Sequence, residues 1–100
     1  MLVNDIKKGT WGVLKYTDWE FQVMDNKKGI TRVLDVYGWA HEMGSAYVWD
    51  IEAIYPLSQG MTHEEFIDCR GQLAYEPVEL TPKQEKQSQL IQSYGFWRSF

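Results

Sequence analysis

Between Gly9 and Asp50 the chain alternates apolar and polar residues, with interruptions at Asp25-Asn26-Lys27-Lys28-Gly29, at Gly38 and at Gly44. A period of two sends successive side chains to opposite faces of a pleated strand, so this stretch selects a small twisted β-sheet. Trp19, Phe21 and Val23 fall on one side and Glu20, Gln22 and Met24 on the other. From Ile30 to Tyr37, Ile30, Arg32, Leu34 and Val36 alternate with Thr31, Val33, Asp35 and Tyr37. Both faces of that segment carry apolar area, as expected where a sheet curls towards a barrel. Residues 25–29 supply hairpin chemistry, because Asn26 tolerates αL geometry and Gly29 accepts positive φ.

A strand is expected to enter at Lys8 to Gly12 and run to Tyr16, with Trp11, Val13 and Lys15 on one face and a turn at Thr17-Asp18. Gly38 permits a bend. Trp39 to Gly44 reads as an excursion, and Ser45 to Ile54 as a returning strand in which Tyr47, Trp49 and Ile51 oppose Ala46, Val48 and Asp50. Four or five short strands with no helix between them imply an antiparallel, SH3-like open barrel over residues 1–57.

The second half changes character. Thr62-His63-Glu64-Glu65 is a capping box, with Met61 placed to staple onto Phe66, and predicts a helix from His63 to Arg70 stopping at Gly71. Residues 72–80 read as an extended segment anchored by Tyr75 and Val78. Thr81-Pro82-Lys83-Gln84 then opens a last helix: Thr81 is the N-cap and Pro82 the first helical residue. Gly95 ends it, with Phe96 folding back on Ile91. Its early turns are polar, and Leu90, Ile91 and Tyr94 form the packing face, so docking is expected mainly at the C-terminal half. The fold class is therefore mainly β (α+β), in a single domain 1–100 whose residues 58–100 form a helical and extended appendage.

The 100 residues suffice for one core. The single cysteine, Cys69, excludes an internal disulfide, and residues 1–10 lack the apolar run of a secretion signal, which points to a reducing cytoplasm. No hydrophobic run approaches the roughly 20 residues needed to span a bilayer. The net charge of −4 is uneven: residues 35–79 carry one basic and nine acidic groups. Such a segment disfavours direct binding to DNA or RNA and suits a basic protein partner, for instance one that itself binds nucleic acid.

Catalytic signals are weak. His41-Glu42 could suggest acid/base chemistry, but neighbours on an extended chain point apart. His63, Glu64, Asp68 and Cys69 lack metal-ligand spacing and read as a polar helix with Cys69 on its inner side. Asp50 and Glu52 would share one face of a regular strand, as an exposed acidic pair or, with a histidine, a metal-assisted hydrolase site. No hydroxyl stands in a nucleophile motif. The residues favour a non-enzyme with no catalytic set, cofactor or metal. Among the aromatics, Trp39 follows the hinge-like Gly38 and is expected to be exposed. The expected binding residues are Trp39, Glu42, Asp50 and Glu52.

Lys8-Gly9-Thr10, Asp25-Asn26-Lys27-Lys28-Gly29, Glu42-Met43-Gly44-Ser45, Tyr47-Val48-Trp49-Asp50-Ile51 and Leu80-Thr81-Pro82 together resemble small bacteriophage-encoded β-rich proteins of uncharacterised function. The resemblance covers most of the chain. It implies expression in the cytoplasm of an infected bacterium and carries no activity with it. On this basis the chain is expected to bind a host or phage protein, or to act in phage structure or assembly, where self-association would follow. In a sharper form it inhibits a nucleic-acid-binding defence complex through its acidic segment.

Overall fold

The alternating stretches form the sheet. β1 (Trp11–Leu14), β2 (Glu20–Asp25), β3 (Thr31–Tyr37), β4 (Glu42–Tyr47), β5 (Ile51–Tyr55) and β6 (Glu76–Pro77) make one antiparallel sheet in the order β4-β3-β2-β1-β5-β6. α1 (His63–Cys69) and α2 (Pro82–Ser93) follow it. The structure, a computed structural model, describes residues 1–25 and 30–93. The expected hairpin residues Asn26-Lys27-Lys28-Gly29 and the helix stop at Gly95, with Tyr94 and Phe96, lie outside the described residues.

One side of the sheet holds the main core. Leu14, Phe21, Val23, Leu34, Val36, Ala46, Ile51 and Ile54 are buried there, closed over by Val3 and Ile6 from the N-terminal segment and by Val48 and Trp49. The period of two in β2 and β3 explains why Phe21, Val23, Leu34 and Val36 all arrive on this side. The opposite side is smaller and aromatic. Trp11, Gln22 and Asp35 follow one another across β1, β2 and β3 in the register, and Tyr37 pairs with Glu20. α1 packs on part of this side, placing the Phe66 ring 4.8 Å from Trp11 and 9° from parallel. The Trp11 indole N–H donates to Met61 O at 2.9 Å, and the buried Ser58 hydroxyl accepts from the Trp11 amide at 2.8 Å.

The expected single strand from Ser45 to Ile54 is corrected by a 3-10 turn at Val48–Asp50, which separates β4 from β5. The two strands stand four spacings apart in the sheet order, about 19 Å if the sheet were flat. From Tyr47 to Ile51 the chain reaches roughly 14 Å at most. The sheet is therefore coiled, with β4 and β5 forming one bent path across it. It does not close: the described strands end at β4 on one edge and β6 on the other. The expected excursion from Trp39 to Gly44 is also shorter, since β4 already begins at Glu42 and Gly44 pairs with Leu34.

α1 carries the expected capping box, with the Thr62 hydroxyl and Glu65 amide 3.2 Å apart and the reciprocal bond at 3.0 Å. Gly71 does not end the chain's helical path directly; it sits inside a further 3-10 turn, Arg70–Gln72. Arg70 pairs with Glu20, tying this end of α1 to β2. β6 is only two residues long, and beside it the N-terminal segment makes a parallel bridge from Leu2 to Glu79.

α2 docks differently from the sequence expectation. Its buried residues are the polar Gln84 and Ser88, with Ile91 against the core, whereas Leu90 is exposed. Asn4 explains part of this: its Oδ1 accepts from Gln84 Nε2 at 3.1 Å and from Arg32 Nη2 at 2.9 Å. Arg32 is buried on β3, where desolvation lowers its pKa against the opposing pull of Asp25. No helix among the described residues is long and apolar enough to cross a membrane.

Candidate interaction surface at the turn from β3 to β4

Gly38 sets the turn. The Trp19 ring lies against it, so closely that a Cβ at position 38 would strike the indole. Only glycine admits this approach, and the chain leaves the turn with Trp39 in solvent, 91% exposed. Met43, on the following strand, is 59% exposed.

Behind Trp39 the turn is braced by polar and aromatic contacts. Asp35 and Tyr37 are two apart on β3 and so share a face. Asp35 Oδ2 accepts from the Tyr37 hydroxyl at 2.9 Å, and Asp35 Oδ1 lies 2.5 Å from His41 Nε2. The Tyr37 ring stacks at 4.2 Å on both His41 and His63, the two histidines of the chain, and tilts against Trp11 at 4.9 Å. Burial, then the hydrogen bond and charge of Asp35, push the Tyr37 pKa up, so the phenol stays neutral. The result is an aromatic stack of His41, Tyr37, His63 and Trp11 beside the turn. Among the described residues no group of three or more His, Cys, Asp or Glu side chains is placed to hold a metal ion.

The four expected binding residues do not form one patch. Trp39 and Glu42 lie together at the turn and the start of β4, both exposed. Asp50 is corrected: it is 1% exposed, at the end of the 3-10 turn, with its carbonyl accepting from the Lys15 amide at 2.9 Å. Glu52 is exposed on β5, within 3.4 Å of the Tyr75 hydroxyl, and β1, β2 and β3 stand between it and β4. The expected shared face of Asp50 and Glu52 fails because the 3-10 turn shifts the strand alternation between them. The acidic residues of 35–79 are likewise dispersed, with Glu64 and Glu65 on α1, and with Glu76 on β6 and Glu79 just after it.

Asp35 and Met43 were not singled out by sequence, and His63 was weighed only as a metal ligand. The alternation of β3 does place Asp35 with Tyr37, but His41 reaches back six residues to Asp35 instead of using its neighbour Glu42, and no local pattern reports that. No family model, curated protein or solved structure matches this chain.

Proposed function

We propose that this chain is a phage-type protein-binding module, with an opened SH3-like sheet, which engages a host or phage protein in the bacterial cytoplasm through Trp39 and the start of β4. The observation that carries this reading is the exposure of Trp39 on a braced turn. Covering a large apolar side chain is worth about 1.5–3 kcal/mol, and the turn that carries this indole has the Trp19 ring packed against Gly38. Aromatic anchors of this kind concentrate binding energy in protein interfaces. Glu42, exposed at the start of β4, favours a partner bearing Lys or Arg, and Trp39 itself attracts such cations through its ring face. The coiled path from β4 through the 3-10 turn to β5, and the pairing of β5 with β1, support the SH3-like reading.

The test is a nuclease-treated pull-down from phage-infected bacteria with tagged wild type and Trp39→Ala, followed by mass spectrometry. A captured protein that is lost from the variant supports the reading. Equal capture by both removes Trp39 from the interface, and capture of only the chain itself or of virion proteins replaces the module by an assembly component.

A further inference from the structure

We infer that the partner is an extended, lysine- or arginine-bearing segment that adds as a further strand along the exposed residues Glu42 to Ser45 of β4. This rests on the proposed binding role of the Trp39 turn and specifies how binding occurs.

The two edges of the sheet are unlike. The β6 edge is blunted in the ways proteins commonly guard an edge: it is two residues long, it includes Pro77, and the N-terminal segment bridges beside it. Among the described residues β4 has none of these guards. It pairs with β3 over six successive positions, Glu42 to Tyr47, without the register shifts present between β1 and β5 and between β2 and β3. It contains no proline or lysine, and Glu42, Met43, Gly44 and Ser45 are all exposed. A regular, exposed edge of this kind is a template for another strand.

Its backbone polarity follows from the pairing. Val48 N–H donates to Ile30 O in the same register that pairs Tyr47 with Thr31. In an antiparallel ladder the positions that exchange bonds alternate with those that do not. Glu42, Gly44 and Ala46 therefore direct their backbone groups to β3, and Met43 and Ser45 turn theirs outward.

Charge decides the occupant. Between residues 31 and 47 the exposed or half-exposed ionisable groups are Asp35, Tyr37, His41, Glu42 and Tyr47, while the one arginine, Arg32, is buried on the core side. Among the described residues the edge thus offers the Glu42 carboxylate and aromatic rings, Asp35 being engaged by Tyr37 and His41, and no exposed lysine or arginine. A basic strand gains from both; a second copy of this chain, with net charge −4, brings an edge of the same character.

Backbone amide hydrogen exchange and indole N–H resonances of the wild-type chain test this, using as probe a short acetylated peptide amide of alternating lysine and valine. Strand addition slows exchange at Met43 and Ser45 several-fold and shifts the Trp39 indole signal. The same peptide methylated at every backbone nitrogen then has no effect, and Ser45→Pro, which removes an outward N–H and no bond to β3, weakens binding of the unmethylated peptide. A shifted Trp39 signal with unchanged edge amides, or equal effects from the methylated peptide, overturns strand addition while leaving the Trp39 surface standing. No response at Trp39 or the edge overturns both. Slowed exchange at Met43 and Ser45 that grows with protein concentration in the absence of peptide assigns the edge to self-pairing and overturns the basic occupant.

Discussion

The Asp35 carboxylate accepts a 2.9 Å hydrogen bond from the hydroxyl of Tyr37, its neighbour on the same face of β3. With burial, this raises the Tyr37 pKa above its ordinary value of 10.0. The neutral phenol is favoured by the fold, so the stability it contributes is complete below that ordinary value and is lost as pH rises through the folded-state value. Residue-resolved NMR of the tyrosine ring carbons should place Tyr37 ionisation above the ordinary value of 10.0. Asp35→Asn should move it back down, because the substitution removes the negative charge. An unchanged Tyr37 titration in Asp35→Asn would show that Asp35 does not govern it.

Two glycines on the sheet should respond in opposite ways to alanine. A Cβ at Gly12 would lie 2.5 Å from Ala53 O and 2.7 Å from the Phe21 ring, between two strands that have no slack. Gly12→Ala should cost about 1–3 kcal/mol by overpacking. Gly44 on β4 has nothing within 4 Å of the same position. There Gly44→Ala should stabilise by roughly 0.5–1 kcal/mol, the usual gain from restricting a strand glycine. Urea denaturation of the two variants beside wild type measures both, and a loss at Gly44 as large as that at Gly12 would contradict the open edge.

The α1 cap ties stability to acid pH. Glu65 carries a lowered pKa, chiefly through the Thr62 backbone amide and then the Thr62 hydroxyl. Here the charged form is the favoured one, so its contribution is complete above the ordinary value of 4.5 and disappears as pH falls through the folded-state value. Thr62→Ala should cost about 1 kcal/mol at neutral pH and flatten part of the acid dependence of stability. Thermal melts across the acid range compare the two proteins, and parallel pH curves would count against the cap as their source.

How much of this was readable in the chain depends on whether a contact is local. The strand alternation of Phe21 and Val23, and of Leu34 and Val36, appears as burial in the structure. The Thr62 and Glu65 capping box is a three-residue signal and appears as two hydrogen bonds. Where the path of the chain across the sheet decides, alternation misleads: Asp50 is buried because residues 48–50 turn from β4 towards β5, a consequence of sheet coiling and not of neighbouring residue types. The same holds for α2, whose polar sequence hid a docking face made with Asn4, eighty positions before Gln84. Trp39 was legible from Gly38, but the reason Gly38 is required, the ring of Trp19, was not.

Asn4 couples α2 to the sheet. Its single side-chain oxygen receives Gln84 from α2 and Arg32 from β3, so one residue of the N-terminal turn joins a helix to the sheet. Gln84 and Ser88 lie in the docked face where an apolar pair would ordinarily sit, so the placement of α2 rests heavily on directional polar contacts. Replacing Asn4 with Leu keeps a side chain of similar size and removes the shared acceptor, which should cost about 1–3 kcal/mol for the desolvated donors. The loss should be local. Amide exchange in α2 is expected to quicken well before that of β2 and β3, which keep their own ladder and core. If exchange instead rises uniformly through sheet and helix, Asn4 serves the whole core; if α2 exchange is unchanged, Ile91 and Leu80 hold the helix without it.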